Sequence, residues 1–275
     1  MLFGLIKYCL GLAITLSNAF AQSGGNTPLE PDNETINATQ PTEISLPPVE
    51  VQSTKNPDWK RYRSMLLALD AFDKNHRLAP QTAARFILRP SNAGASMNGL
   101  TLRLVGKETS LPLALADDGS FTLPKDKQLQ DEDAELTINR KREMFHWRPH
   151  IRSALSAPDQ RRLGDLRLEC EMLAAYGLDD WPYILRSAVQ LVGGPCNSKK
   201  IGVSFPADYE DLKSAVLISD DKRIDLVVDK KASTFTVPLE DQALSNDAIV
   251  KLEYEKNGLA RTNNLSPMFL LIKFF

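Results

Sequence analysis

Two tetrapeptides, Phe121-Thr122-Leu123-Pro124 and Phe235-Thr236-Val237-Pro238, decide how this chain is read. Each has the alternation of a half-buried β-strand, with Phe and the aliphatic residue on one face and Thr on the other. Pro then ends the strand, because it cannot donate to the ladder. The two copies stand 114 residues apart, and Asp133-Ala134-Glu135-Leu136 returns at the same offset as Asp247-Ala248-Ile249-Val250. Leu111–Leu115 matches Ile224–Val228 at an offset of 113. Upstream, Pro90 and Pro206 each close a short strand. Downstream, Met144-Phe145 and Met268-Phe269 each open a last one. Matches in one order at a nearly constant offset point to an internally repeated β-sandwich-like module, spanning roughly 80–150 and 200–275. The simpler alternative is that any two β-meanders share such a pattern.

The first meander is expected over Arg85–Leu88, Leu100–Val105, Leu111–Leu115, Ser120–Leu123 and Ala134–Asn139. Asp117-Asp118-Gly119 provides a turn between two of these strands. The preceding segment, 56–79, has helical spacing instead. Asn56 suits an N-cap, Pro57 the first helical position and Asp58 the positive end of the dipole. Trp59, Tyr62, Leu66, Leu69 and Phe72 then form one apolar face, which should stop before Pro80.

The middle, 151–199, reads as a helical hairpin. Leu163, Leu166, Cys170, Leu173 and Tyr176 form the face of its first helix, which Gly177 can terminate. Asp179 or Asp180 can cap the second, whose apolar set is Ile184, Leu185, Ala188, Leu191 and Val192. The expected class is therefore α+β: two related β-sandwich-like modules flanking a helical hairpin, preceded by an N-terminal helix.

The 275 residues are 43% hydrophobic and 25% charged, an ordinary globular balance that excludes collagen, a long coiled coil and a wholly disordered chain. The beginning has the pattern of an export signal. Lys7 precedes the apolar run Tyr8–Leu16, and Ala19-Phe20-Ala21 fits a small-x-small cleavage site. The run is shorter than the roughly 20 residues of a membrane span, so residues 1–21 are read as a signal peptide; an uncleaved anchor is the alternative. Residues 22–55, rich in Pro, Thr and Asn and bearing Glu30, Asp32, Glu34, Glu43 and Glu50, read as an acidic disordered linker. The remainder is close to neutral, which argues against a dedicated nucleic-acid binder.

Removal of the signal takes away Cys9 and leaves Cys170 and Cys196. In an oxidising compartment these are expected to form a disulfide that contributes roughly 3 kcal/mol, and two buried thiols are the alternative. A periplasmic or secreted location follows from these readings. The terminal Phe275 invites comparison with the assembly signal of outer-membrane barrels. However, the strands are mostly shorter than the roughly 9–11 residues of a membrane strand, and helices interrupt them.

The search for chemistry is mostly negative. His146 and His150 lie four apart, but Pro149 disfavours a helix between them, and no His-Glu-x-x-His, Gly-x-Ser-x-Gly or Gly-rich phosphate loop occurs. No metal, cofactor or catalytic residue is expected. The pairs Asp117/Asp118, Asp179/Asp180 and Asp220/Asp221 fall in turns, whereas acid–base catalysis needs carboxylates in differing environments.

One stretch stands out, Arg140-Lys141-Arg142-Glu143-Met144-Phe145-His146-Trp147-Arg148-Pro149-His150-Ile151-Arg152. Cations with interleaved aromatics suit phosphate or carboxylate groups on a sugar. Arg140, Arg142, Trp147, Arg148 and Arg152 are therefore candidate ligand-binding residues for an anionic envelope component or the acidic surface of another envelope protein. The alternative places Phe145 and Trp147 in the core, with cations coating a strand or pairing with Asp165, Glu169 or Glu171.

Trp147-Arg148-Pro149, with Arg161-Arg162-Leu163-Gly164-Asp165-Leu166-Arg167-Leu168-Glu169-Cys170-Glu171, resembles a group of secreted proteins of Gram-negative bacteria. Ala116-Asp117-Asp118-Gly119-Ser120-Phe121-Thr122-Leu123-Pro124 resembles the hairpin of carboxypeptidase-regulatory-like and transthyretin-like β-sandwiches; the second copy has Lys231-Ala232 in place of Asp118-Gly119. These resemblances supply no catalytic residues and imply a periplasmic accessory or binding role. The functional expectation is an exported, non-enzymatic envelope binding or structural module. The alternatives are a cell-envelope glycan hydrolase and a surface adhesion or secretion accessory protein.

Overall fold

A tryptophan lies in the first strand among the described residues. Strand β1 (Pro57–Arg61) pairs antiparallel with β6 (Glu135–Lys141), with Trp59 opposite Thr137, Lys60 opposite Leu136 and Arg61 opposite Glu135. This corrects the expectation of a helix from Asn56. Asp58 does not complement a helix dipole; it is buried and accepts the Trp147 indole N–H at 3.2 Å. Helix α1 (Tyr62–Asn75) begins where the Tyr62 N–H donates to Ala134 O at 2.9 Å. It buries Tyr62, Met65, Leu66, Leu69 and Phe72, and a 3-10 turn, His76–Leu78, ends it before Pro80 as expected.

The computed structural model describes residues 56–92, 94–154, 156–177, 182–191, 193–199, 201–255 and 270–272. These lie within one unit, Glu50–Phe275. The expected signal peptide and linker, the caps Asp179 and Asp180, and Met268-Phe269 fall outside the described residues.

The chain is mixed helix and sheet, and every described strand pair is antiparallel. β3 (Leu102–Val105) and β4 (Ser110–Leu113) complete a sheet of order β1-β6-β3-β4. β2 (Phe86–Pro90), β5 (Ser120–Phe121) and β7 (Phe145–Pro149) form a second, of order β5-β2-β7. Phe86 lies opposite Phe121 with ring centroids 5.7 Å apart, and Phe121 meets Trp147 edge-on. The expected Asp117-Asp118-Gly119 turn is present. Gly119 has φ +77°, and a Cβ there would stand 2.7 Å from Leu88 O, so the turn requires glycine. A short helix, α2 (Lys127–Asp131), is capped by Asp126, whose Oδ1 accepts the Leu129 N–H at 3.1 Å.

The second half begins with β8 (Gln160–Arg162) and α3 (Leu163–Gly177), followed by α4 (Tyr183–Leu191). Next come β9 (Ile201–Pro206), β10 (Leu212–Ser219) and β11 (Lys222–Asp225). β12 (Val227–Asp229), β13 (Thr234–Val237), β14 (Ile249–Tyr254) and β15 (Leu270–Ile272) follow. They make two sheets, β11-β10-β14-β8 and β12-β13-β9-β15.

Two hydrophobic cores result, and α3 serves both. Leu168, Met172 and Tyr176 join Tyr62, Phe86 and Trp147 in the first, while Leu163, Leu166 and Cys170 join Phe205, Phe235 and Val250 in the second. The single apolar face expected of α3 is thus two faces, because the helix is sandwiched. The expected face of α4 is corrected more sharply. Ile184 and Leu191 are 83% and 87% exposed, and among the described side chains of α4 it is Val189 that is buried; the side chain of Leu185 and residue Val192 lie outside the description. Cys170 and Cys196 form the expected disulfide, with both residues buried.

Candidate functional site

The turn joining β6 to β7 creates a small basic cavity. Glu143 adopts φ +69°, and the Arg142 N–H donates to Asn56 O at 3.2 Å. This ties the turn to the start of β1 and brings the Arg142 guanidinium to 5.9 Å from the centre of the Trp59 ring, within cation–π range. The cavity has a volume of about 240 Å³ and is lined by Trp59, Lys60, Arg61, Ser64, Arg142 and Tyr176. Its lining contains three cations and two aromatics. Asp58, buried next to Trp59 in the chain, feels the charges of Lys60 and Arg142. Burial raises its carboxyl above the ordinary range, against the pull of the Trp147 N–H and Lys60.

Strand geometry separates the candidate residues of the 140–152 stretch. Arg140 donates to Asn139 O at 3.0 Å and to Asn98 O, which holds the preceding loop. Arg142 alone reaches the cavity. Trp147 points into the first core, where the second reading of the stretch placed it. Arg148 and Arg152 go to a third place, a polar layer between the two halves. Arg152 pairs with Asp208, and its Nη2 donates to the carbonyls of Ala157, Pro158 and Gln160 at 3.0–3.1 Å. Arg148 is 5% exposed and experiences the charges of Glu169 and Asp208.

In the same layer Arg161 Nη2 donates to Glu169 at 2.5 Å, with both side chains almost fully buried. Asp208 stays below the ordinary carboxylate range: burial opposes this, but Arg161, Arg152 and Arg148 outweigh it. His150 is driven down to about 3, by burial first and then by Arg161 and Arg148.

Arg162 and Arg167 also have structural partners. Arg162 holds Asp247 at 2.6 Å, and Arg167 donates to Leu239 O, Leu244 O, Asp241 O and Asn246 Oδ1. Ser153 N and Oγ both donate to Asp165 at 2.7 Å, fixing the entrance to α3.

Trp59, Lys60, Arg61, Ser64 and Tyr176 were not among the candidate residues. Their signal is the aromatic–cation run 59–61, which identifies a half-exposed edge once it is read as a strand. Among the described residues no group of His, Cys, Asp or Glu is placed to hold a metal ion, and no helix is long and apolar enough to cross a membrane. Comparisons with protein-family models, curated proteins and solved structures give no match.

Proposed function

We propose that this chain is an exported, non-enzymatic module that binds an anionic group of the cell envelope, with Trp59 and Arg142 as its central contacts. The observation that carries this reading is the cavity itself, where an aromatic face and three cations converge on a space of about 240 Å³. That is below the roughly 300–1,000 Å³ of drug-sized sites, so it suits a single charged sugar or a phosphate-bearing headgroup. The indole offers a stacking face, and the guanidinium offers paired donors to phosphate or carboxylate. The Cys170–Cys196 bridge supports an oxidising location.

The scaffold is read as a duplicated unit, and the register supports this at several points. The order β1-β6-β3-β4 parallels β8-β14-β10-β11. Arg61 faces Glu135 as Arg162 faces Ile249, and Lys60 faces Leu136 as Arg161 faces Val250. Leu104 lies between Leu136 and Leu111, and Leu217 between Val250 and Ile224. Phe86 faces Phe121, and Phe205 faces Phe235 with ring centroids 6.0 Å apart. The Tyr62 N–H reaches Ala134 O, and the Leu163 N–H reaches Ala248 O. The repeat then begins at the leading strand, with Pro57-Asp58-Trp59-Lys60-Arg61 answered by Pro158-Asp159-Gln160-Arg161-Arg162. In the second copy Gln160 replaces Trp59, while Arg161 and Arg162 are tied to Glu169 and Asp247. On this reading one copy kept a binding cavity and the other turned the same positions to structure.

The test is calorimetric titration with a hexosamine phosphate, a uronic acid and the corresponding neutral hexose. The charged sugars should bind, W59A and R142S should each weaken binding about tenfold or more, and the neutral sugar should be far weaker. Equal binding of charged and neutral sugars, or unaltered binding in both variants, would overturn the reading.

A further inference from the structure

We propose a second site, for a small free oxyanion such as phosphate or sulfate, on the buried face of the β5-β2-β7 sheet, with Arg148 as its principal ligand and Arg89 and His150 beside it. On β2 and β7 the side chains alternate. Phe86, Leu88, Phe145 and Trp147 enter the first core, while Ile87, Arg89 and Arg148 take the opposite face, Ile87 lying directly across from Arg148. That face is not open to solvent: Ile87 is fully buried, Arg148 is 5% exposed and His150 is 7% exposed. The second half covers it with Asp208, Arg161 and Glu169, whose charges act on Arg148 and, for Asp208 and Arg161, on His150.

Arg89, Arg148, Arg152 and Arg161 meet the carboxylates of Asp118, Asp165, Glu169 and Asp208 in this layer, and Glu169 Oε1 also lacks a hydrogen-bond partner among the described residues. Glu169 is hydrogen-bonded to Arg161, and Asp208 to Arg152. Arg89 gives one donor to Asp118 O. Among the described residues Arg148 Nη1 and Nη2, Arg89 Nε and His150 Nδ1 have no hydrogen-bond partner. A guanidinium keeps its proton at any physiological pH and is a donor only. Burying its N–H donors without acceptors is costly, even with Glu169 and Asp208 nearby. Water can accept from those nitrogens through one oxygen, whereas an oxyanion supplies paired acceptor oxygens that fit a guanidinium fork. His150, neutral beside these arginines, can contribute an Nδ1–H donor.

The site is separate from the surface cavity and does not depend on it, so the experiment keeps the two apart. Protein freed of oxyanions is equilibrated with inorganic phosphate or sulfate, and bound ion is counted for the cavity variant K60S/R142S with and without R148Q. In the K60S/R142S background, where the surface cavity no longer competes for the ion, one ion per chain should bind saturably, and adding R148Q should weaken that binding roughly 10- to 100-fold. No saturable binding to K60S/R142S, or unchanged binding to the folded variant that adds R148Q, overturns the proposal. If the variant with R148Q does not fold, the melting temperature of K60S/R142S decides. A saturable rise with phosphate and sulfate but not with chloride at equal ionic strength supports the site, and an equal response to all three overturns it.

Discussion

Glu169→Gln is the substitution whose effect the structure fixes most tightly. The Glu169 and Arg161 side chains are 0% and 1% exposed and 2.5 Å apart. Arg148 and Asp208 share their surroundings. Removing the carboxylate charge leaves Arg161 as a buried cation without its ion partner, beside another cation. Breaking a buried pair in this way costs about 3–5 kcal/mol, a large share of the roughly 5–15 kcal/mol typical of folded proteins. For a folded region of this size that is a fall of about 6–20 °C in melting temperature. Removing both charges with R161M/E169L should restore most of the loss, because an apolar pair of similar volume replaces two desolvated ions. Arg161 also donates to Ile151 O and faces Asp208, so recovery should stop short of wild type. Urea unfolding of R161M, E169L and R161M/E169L gives the coupling energy directly, expected at about 2–3 kcal/mol. An E169Q cost below about 1 kcal/mol, as for a surface pair, would refute the picture of a dry, charge-tuned layer, as would strictly additive single costs.

Three further outcomes follow from other parts of the molecule. C170A/C196A frees a 26-residue loop, and chain entropy sets the loss at about 3.5 kcal/mol, checked by the shift in urea midpoint. His150 titrates near 6.5 when unfolded and about 3 when folded, so the unfolded chain takes up a proton first as pH falls. Stability should drop below pH 6.5 by up to about 1.4 kcal/mol per pH unit, and H150Q should flatten that slope between pH 6 and 4.5. Asp208, held below 3.8, loses its contribution only at lower pH and leaves that window clear. R140S should destabilise only slightly and leave sugar binding intact, since Arg140 bonds the carbonyls of Asn139 and Asn98 and does not line the cavity.

What could be read from sequence depended on whether a residue's role was set locally. Phe121 and Phe235 announced themselves because strand alternation is a local signal, although β5 ends at Phe121, short of Pro124, and the two cysteines because they are the pair outside the expected signal peptide. Trp59 misled: three residues before Tyr62, it satisfies a helical period as well as the end of a strand, and only pairing with Thr137 decides between them. Trp147 and Arg148 necessarily face opposite sides of β7. That Arg148's side is covered by Asp208 and α3 is a tertiary fact with no local trace. The exposed Ile184 and Leu191 of α4 show the converse, an apolar spacing that the packing leaves open. The cavity draws on β1, α1, the 142 turn and the end of α3, so its residues share no sequence neighbourhood beyond 59–61.

The indole N–H resonances of Trp59, Trp147 and Trp181 test the binding claim most directly, with W59F providing the assignment. Titration with a hexosamine phosphate should move the Trp59 signal saturably and leave that of Trp147, hydrogen-bonded to Asp58 in the core, in place. A stationary Trp59 signal, or the same displacement with the neutral sugar, would contradict the account.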